Sequence, residues 1–179
     1  MNYKRDDITP EIVRELLDYD PDTGHLKWRA RTRKWFSSDR AWKNFNAQFA
    51  GKPALTATSK KRYRHGLILG FTFSAHQVAF AHHHGRWPTF GIDHDNGDGF
   101  DNRISNLFDR PQSENCKNKR LRKDNTSGQM GVCRTENGQW AVTIGSKYLG
   151  TFEHFDKAIS VRKAAEQQHG FHPNHGRAA

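Results

Sequence analysis

The chain has 179 residues, enough for one domain or two small ones, and a hydrophobic content of 34% is too polar for one large core. Lys and Arg number 29 against 19 Asp and Glu, a formal charge of +10 that favours a polyanionic partner such as nucleic acid. No apolar run has membrane-spanning length and the N-terminus lacks a secretion-signal core, while two cysteines, Cys116 and Cys133, exclude a four-cysteine zinc site within the chain.

In chain order, "DDITPEIVRELLDYDPDTG" predicts a helix and then a turn. Thr9 can cap the helix, Pro10 suits its first turn, and Ile8, Ile12, Val13, Leu16 and Leu17 recur at helical spacing. "HLKWRA" alternates like a strand with Leu26 and Trp28 on one face. From Arg29 to Asn46, Trp35, Phe36, Trp42 and Phe45 interleave with basic residues that include Arg33 and Lys34. That pattern fits either a stacking and phosphate-binding surface or an irregular loop whose aromatics plug a small core. "YRHGLILGFTFSAHQVAFAHHHG" predicts a hairpin turning at Gly70, then a helix capped by Ser74 that contains His76 and ends near Gly85. His82, His83 and His84 point in different directions on a helix and read as end-of-helix side chains, not as metal ligands.

Downstream, "MGVCRTENGQWAVTIGSKYLGTF" predicts three antiparallel strands separated by turns at "TENG" and "GSK". A helix follows over "FDKAISVRKAAEQQHG", then a loose tail, "FHPNHGRAA". The composition shift at residues 123–129 marks the expected linker, which divides the chain into 1–122 and 123–179.

The acidic loop "GIDHDNGDGFDNRISNL" stands apart in so basic a chain. A helix-loop-helix calcium loop does not fit, because the glycine comes one residue early and the twelfth position is no acid. Asp93 and His94 end an apolar strand, Asn106 follows in "ISNL", a short strand and turn come next, and Asn115 lies in "SENCKN", a helix that Ser113 can cap. Asn96-Gly97 signals a tight turn, Asp98, Asp101 and Asn102 can bridge the loop backbone, and Arg103 can pair with an acid or a phosphate.

This order of strand with Asp-His, loop with Asn, strand, and helix with Asn resembles the HNH nuclease family and its beta-beta-alpha-metal site. "IDHDNGDGFDNRISNL" with "SENCKN" resembles the homing-endonuclease branch, many of whose members are encoded by phages or mobile introns. "YDPDTGHLKW" and "SAHQVAFAHHHGRWPTFGIDH" extend the likeness over most of residues 15–120, with Gln77 where that branch carries an arginine. The resemblance implies that Asp93 and Asn115 hold one divalent ion, that His94 is the general base, and that Asn106 holds the loop and orients the histidine ring. Oxygen ligands suit magnesium or manganese better than zinc, and an imidazole pKa of about 6.5 suits a base near neutral pH.

Residues Thr126 to Gly170 resemble the ethylene-response-factor (APETALA-type) DNA-binding domain, through "SGQMGV", "GQWAVTI", "YLGTF" and an alanine-bearing helix. The resemblance implies a three-stranded sheet in the major groove, with Arg134, Gln139, Trp140, Thr143 and Lys147 as candidate contacts. Met130 stands where the family has a basic residue, and Cys133 where it has a groove-facing arginine. Lys117, Lys119, Arg120, Arg122 and Lys123 form a basic run suited to phosphates, and His76 and Arg103 join the candidate DNA contacts.

The expectation is an α+β protein in which an HNH module precedes a small sheet-plus-helix module. It would be a Mg2+- or Mn2+-dependent endonuclease on double-stranded DNA, with no membrane and no obligatory protein partner. It would act in the cytoplasm, the bacterial host's if phage-encoded. The alternatives are a catalytically silent DNA-binding regulator and an RNA-binding module built on the aromatic-basic stretch.

Overall fold

The computed structural model describes residues 4–58 and 63–177, without the side chain of Asn115. It is a mixed α+β protein of two compact units, 1–110 and 111–179.

The first unit begins where the sequence predicts. Thr9 accepts from the Ile12 amide at 3.5 Å and Pro10 opens helix α1, Pro10–Leu16. Leu17 leaves the helix and starts strand β1, Leu17–Tyr19, which pairs antiparallel with β2, Leu26–Trp28. Between them "YDPDTG" makes the turn, with Gly24 at φ +73°. Ile8, Val13, Leu16, Leu17 and Leu26 are buried in one core, each such side chain worth about 1.5–3 kcal/mol of burial.

The stretch from Arg29 to Asn46 is more ordered than its composition suggests. A 3-10 turn, Arg33–Trp35, leads to helix α2, Asp39–Phe49, whose Ser38 cap accepts from the Ala41 amide at 3.2 Å. Trp35 and Phe45 pack on the core, and the Trp42 indole donates to the Arg31 carbonyl at 2.8 Å. Arg31 lies between the rings of Trp28 and Phe45, 4.8 and 4.0 Å from their centroids, and burial lowers its pKa to about 10. Of the two readings of this stretch, these contacts favour the aromatic plug.

Strand β3, Ala57–Thr58, then β4, Arg64–Ile68, and β5, Phe71–Ser74, form a three-stranded sheet. Leu69 and Gly70, at φ +49° and +90°, make the hairpin turn. Helix α3, Ala75–His84, ends at Gly85 in the left-handed region, and the Arg14 guanidinium donates to the exposed carbonyls of His82 and His83. Ser74 stands at the N-cap but its side chain makes no capping bond. Strands β6, Gly91–His94, and β7, Leu107–Arg110, close the unit as an antiparallel pair.

The second unit opens with a short helix, α4, Gln112–Asn115, continued by a 3-10 turn, Cys116–Asn118. Pro111, not Ser113, stands at its N-cap, so Ser113 lies inside the helix; proline's fixed φ starts the turn without a side-chain oxygen. Strands β8, Val132–Arg134, β9, Trp140–Ile144, and β10, Lys147–Phe152, form the expected antiparallel sheet, and helix α5, Phe155–Gln168, packs on it.

The tail corrects an expectation. Instead of hanging loose, residues 171–177 are tied to the basic run: the amides of His172 and Gly176 donate to the carbonyls of Lys117 and Lys119, and Arg177 donates to Asn118 Oδ1 at 2.7 Å. Buried Arg162 adds a clamp. It donates to the Thr143 carbonyl and to Glu166, and its Nη2 lies 3.3 Å from His175 Nε2.

Candidate active site

Pairing of β6 with β7 sorts the site residues onto two faces. Asp93 stands opposite Phe108 and His94 opposite Leu107, so adjacent Asp93 and His94 point to opposite sides of the ribbon. His94 is 4% exposed on the inner face. Asp93 and Asp95 share the outer face, where Arg110 Nη1 lies 3.6 Å from Asp93 Oδ2 and 3.6 Å from Asp95 Oδ1. The other acid of β7, Asp109, serves the scaffold: it accepts from Arg86 and from the amides of Thr89 and Phe90.

The His94 ring has a layered surround. Its Nε2 lies 3.4 Å from Asn102 Oδ1, and the rings of His76 and Tyr63 lie 5.2 and 5.6 Å away. Burial pushes the His94 pKa below its usual range, against the Asn102 contact and the nearby carboxylates, which raise it. Burial and the neighbouring His94 take His76 down to about 4. Both rings are therefore neutral at neutral pH, and a neutral imidazole is what a general base requires.

Asn106 bonds the backbone of the acidic loop. Its Oδ1 accepts the Asn96 amide at 2.9 Å and its Nδ2 donates to the Asp101 carbonyl at 2.8 Å, which stitches the loop together. The side chain set against the His94 ring is Asn102, buried at 2%. Spacing marks both asparagines as loop residues, but which amide meets the ring depends on the irregular path of the loop.

That path is braced by the N-terminal turn. The Tyr19 phenol, held neutral by burial, donates to the Asn102 carbonyl at 2.7 Å, and the Ile104 amide donates to the Pro21 carbonyl at 3.0 Å. A Cβ on Gly24 would lie 2.5 Å from the Asn102 carbonyl carbon. Asn96 and Gly97 form the expected tight turn, with the Gly97 amide on the His94 carbonyl at 2.7 Å. Arg103 takes the acid of its two predicted partners, binding Asp101 through two nitrogens and helping to lower that carboxyl to about 2.

The oxygen donors gathered on the outer face, Asp93 and Asp95, suit a hard divalent ion. Among the described residues no group of three or more His, Cys, Asp or Glu forms a metal cluster. The side chain of Asn115 lies outside those described; its backbone belongs to α4. His82 and His84 serve as structural side chains, His82 Nε2 lying 3.2 Å from the Leu17 carbonyl and His84 packing on Phe80.

Residues 73–117 match the family model described as HNH endonuclease. The matched segment contains Asp93, His94, Asn106 and Asn115, and supports a nuclease. No curated protein and no solved structure matches the chain.

The remaining candidate contacts fall into groups. Arg33 is paired with Asp39 and Lys34 with Glu15, so a carboxylate already offsets each charge. His76 is packed against His94 and Tyr63. Lys117 donates to the His169 carbonyl and Arg122 grips Asp124, while Lys119 and Lys123 are exposed. Arg120 is half-buried.

In the three-stranded sheet, Trp140 packs against Phe155 of α5, ring centroids 4.4 Å apart, which places it with the core and not on the outer face. Arg134 lies opposite it in the register and its guanidinium sits over the Trp140 ring at 5.8 Å. Thr143 alternates onto the outer face, with Tyr148 beside it and Cys133 and Thr151 flanking Ala141. Gln139 precedes β9, where its carbonyl and amide bond Thr135, and Lys147 is exposed at the β9–β10 turn. Tyr148 and Thr151 share that outer face because the register shifts between Tyr148 and Gly150, an irregularity that strict alternation along β10 does not foretell.

Proposed function

We propose that this protein is a DNA endonuclease that hydrolyses phosphodiester bonds with one divalent ion per site. The observation that carries the proposal is the placement of His94, neutral and buried against Asn102, on a ribbon whose other face presents Asp93, inside the segment that matches the HNH family. With its Nε2–H donating to Asn102 Oδ1, the ring keeps a lone pair on Nδ1 to take a proton from water. The water oxygen then attacks phosphorus, and the bond to the leaving sugar oxygen breaks. Asn102 and Asn106 act on this step indirectly, the first on the ring and the second on the loop.

Asp93 and Asn115 would hold the ion, magnesium or manganese. When bound, it would supply positive charge to the scissile phosphate and the leaving oxygen. A functional division at 122/123 differs from the division into compact units, because α4 and the basic run serve the nuclease. The sheet and α5 would form an ethylene-response-factor-like module that adds affinity and base preference, with Thr143 on its outer face. A phage or intron homing role follows from the resemblance of the acidic loop.

Supercoiled plasmid incubated with Mg2+ tests the reading. Open-circular or linear product that disappears with a chelator is expected. Intact plasmid with Mg2+ and Mn2+, despite normal DNA binding, would favour the catalytically silent regulator.

A further inference from the structure

Arg110 is a cation in an unusual position. It ends β7 opposite Gly91, which has no side chain. Its guanidinium lies over the Phe108 ring at 4.2 Å and extends along the ribbon toward both outer carboxylates. The two separations of 3.6 Å are within ion-pair range but beyond hydrogen-bond length, so charge and not a fixed fork holds it there. Its side chain is 26% exposed and that of Asp93 16%, which limits screening by water.

We propose that Arg110 is a resident counter-cation of the ion site. It offsets Asp93 and Asp95 while no ion is bound, and its charge lowers the affinity of the free protein for a divalent ion. This rests on the reading of Asp93 as an ion ligand. Losing the guanidinium removes one positive charge from beside two carboxylates, which should tighten divalent-ion binding on the order of tenfold. Arg110 acts here through the carboxylates and is a positioning residue.

The test is Mn2+ binding to the full-length protein without DNA, read from the paramagnetic resonance signal of unbound Mn2+. Arg110→Gln should bind Mn2+ about tenfold more tightly and Arg110→Lys, which keeps the charge, should stay near wild type. Asp95→Asn should weaken binding several-fold, because the guanidinium then answers to Asp93 alone; this arm stands even if Arg110→Gln fails to fold. Folded Arg110→Gln with unchanged or weaker Mn2+ binding would overturn the proposal, as would unchanged binding by Asp95→Asn. If Asp93→Asn leaves Mn2+ binding intact, the ion site itself is misplaced. If Asp93→Asn abolishes binding while Arg110→Gln changes nothing, only the counter-cation role fails.

Discussion

The turn that braces the acidic loop offers a measurable perturbation in Gly24→Ala. Gly24 has φ +73°, and a Cβ there would lie 2.5 Å from the Asn102 carbonyl carbon and 2.6 Å from the Arg103 amide nitrogen. Both are backbone atoms, so the loop must retreat by on the order of 1 Å to reach ordinary contact. The left-handed backbone costs alanine about 1–2 kcal/mol, and forced repacking adds about 1–3 kcal/mol. Gly51→Ala is the control: its φ is +74° and nothing lies within 4 Å of the new Cβ, so it should lose only the first, about 1–2 kcal/mol. Urea unfolding followed by tryptophan fluorescence separates the two, because Trp28, Trp35, Trp42 and Trp87 all lie in the first unit. Displacing Asn102 also disturbs its 3.4 Å contact with His94, and a misplacement of that size costs about 100-fold in rate. Gly51→Ala should cleave like wild type. If the two variants lose equal stability and cleave alike, the bracing argument is wrong.

Other expectations follow from the same geometry. Because burial holds His94 below its usual pKa, cleavage should persist as pH falls through about 6.5 and fail only at lower pH; a half-maximal point above that value would contradict a buried neutral base. His76 is depressed to about 4 in the fold, so the unfolded chain binds its proton first and stability should decline from about pH 6.5 down to about 4. His76→Phe should flatten that decline in urea titrations at a series of pH values; an unchanged slope would show that His76 is not the group responsible. Replacing exposed Lys119 and Lys123 together by alanine should reduce the slope of log affinity for duplex DNA against log salt by about 2. An unchanged slope would remove those lysines from the phosphate contacts.

Regular elements with clear periodicity were legible in the sequence. Leu26 and Trp28 on one strand face, the hairpin through Gly70, the helix ending at Gly85 and the three C-terminal strands all stand where the pattern places them. Helix α2 carries its own signal, a Ser38 cap with Trp42, Phe45 and Phe49 at i, i+3 and i+7, which the basic and aromatic composition of the stretch masks. The tail escaped for another reason: Arg162, His175 and Arg177 hold it through long-range polar bonds that leave no period behind. At the site, adjacent positions on one strand suffice to set Asp93 and His94 on opposite faces. The pairing of His94 with Asn102, the contact with His76 and the approach of Arg110 to two acids depend on loop path and cross-strand register, which spacing along one strand does not encode.

The central claim is that His94 takes the proton from the attacking water. Its most direct measurement is single-turnover plasmid cleavage with Mg2+ by wild type and by His94→Ala, at protein concentrations that give equal DNA occupancy. Loss of a general base predicts a fall of about 100- to 10,000-fold in the cleavage rate with DNA affinity retained. Equal rates for the two proteins would contradict the assignment.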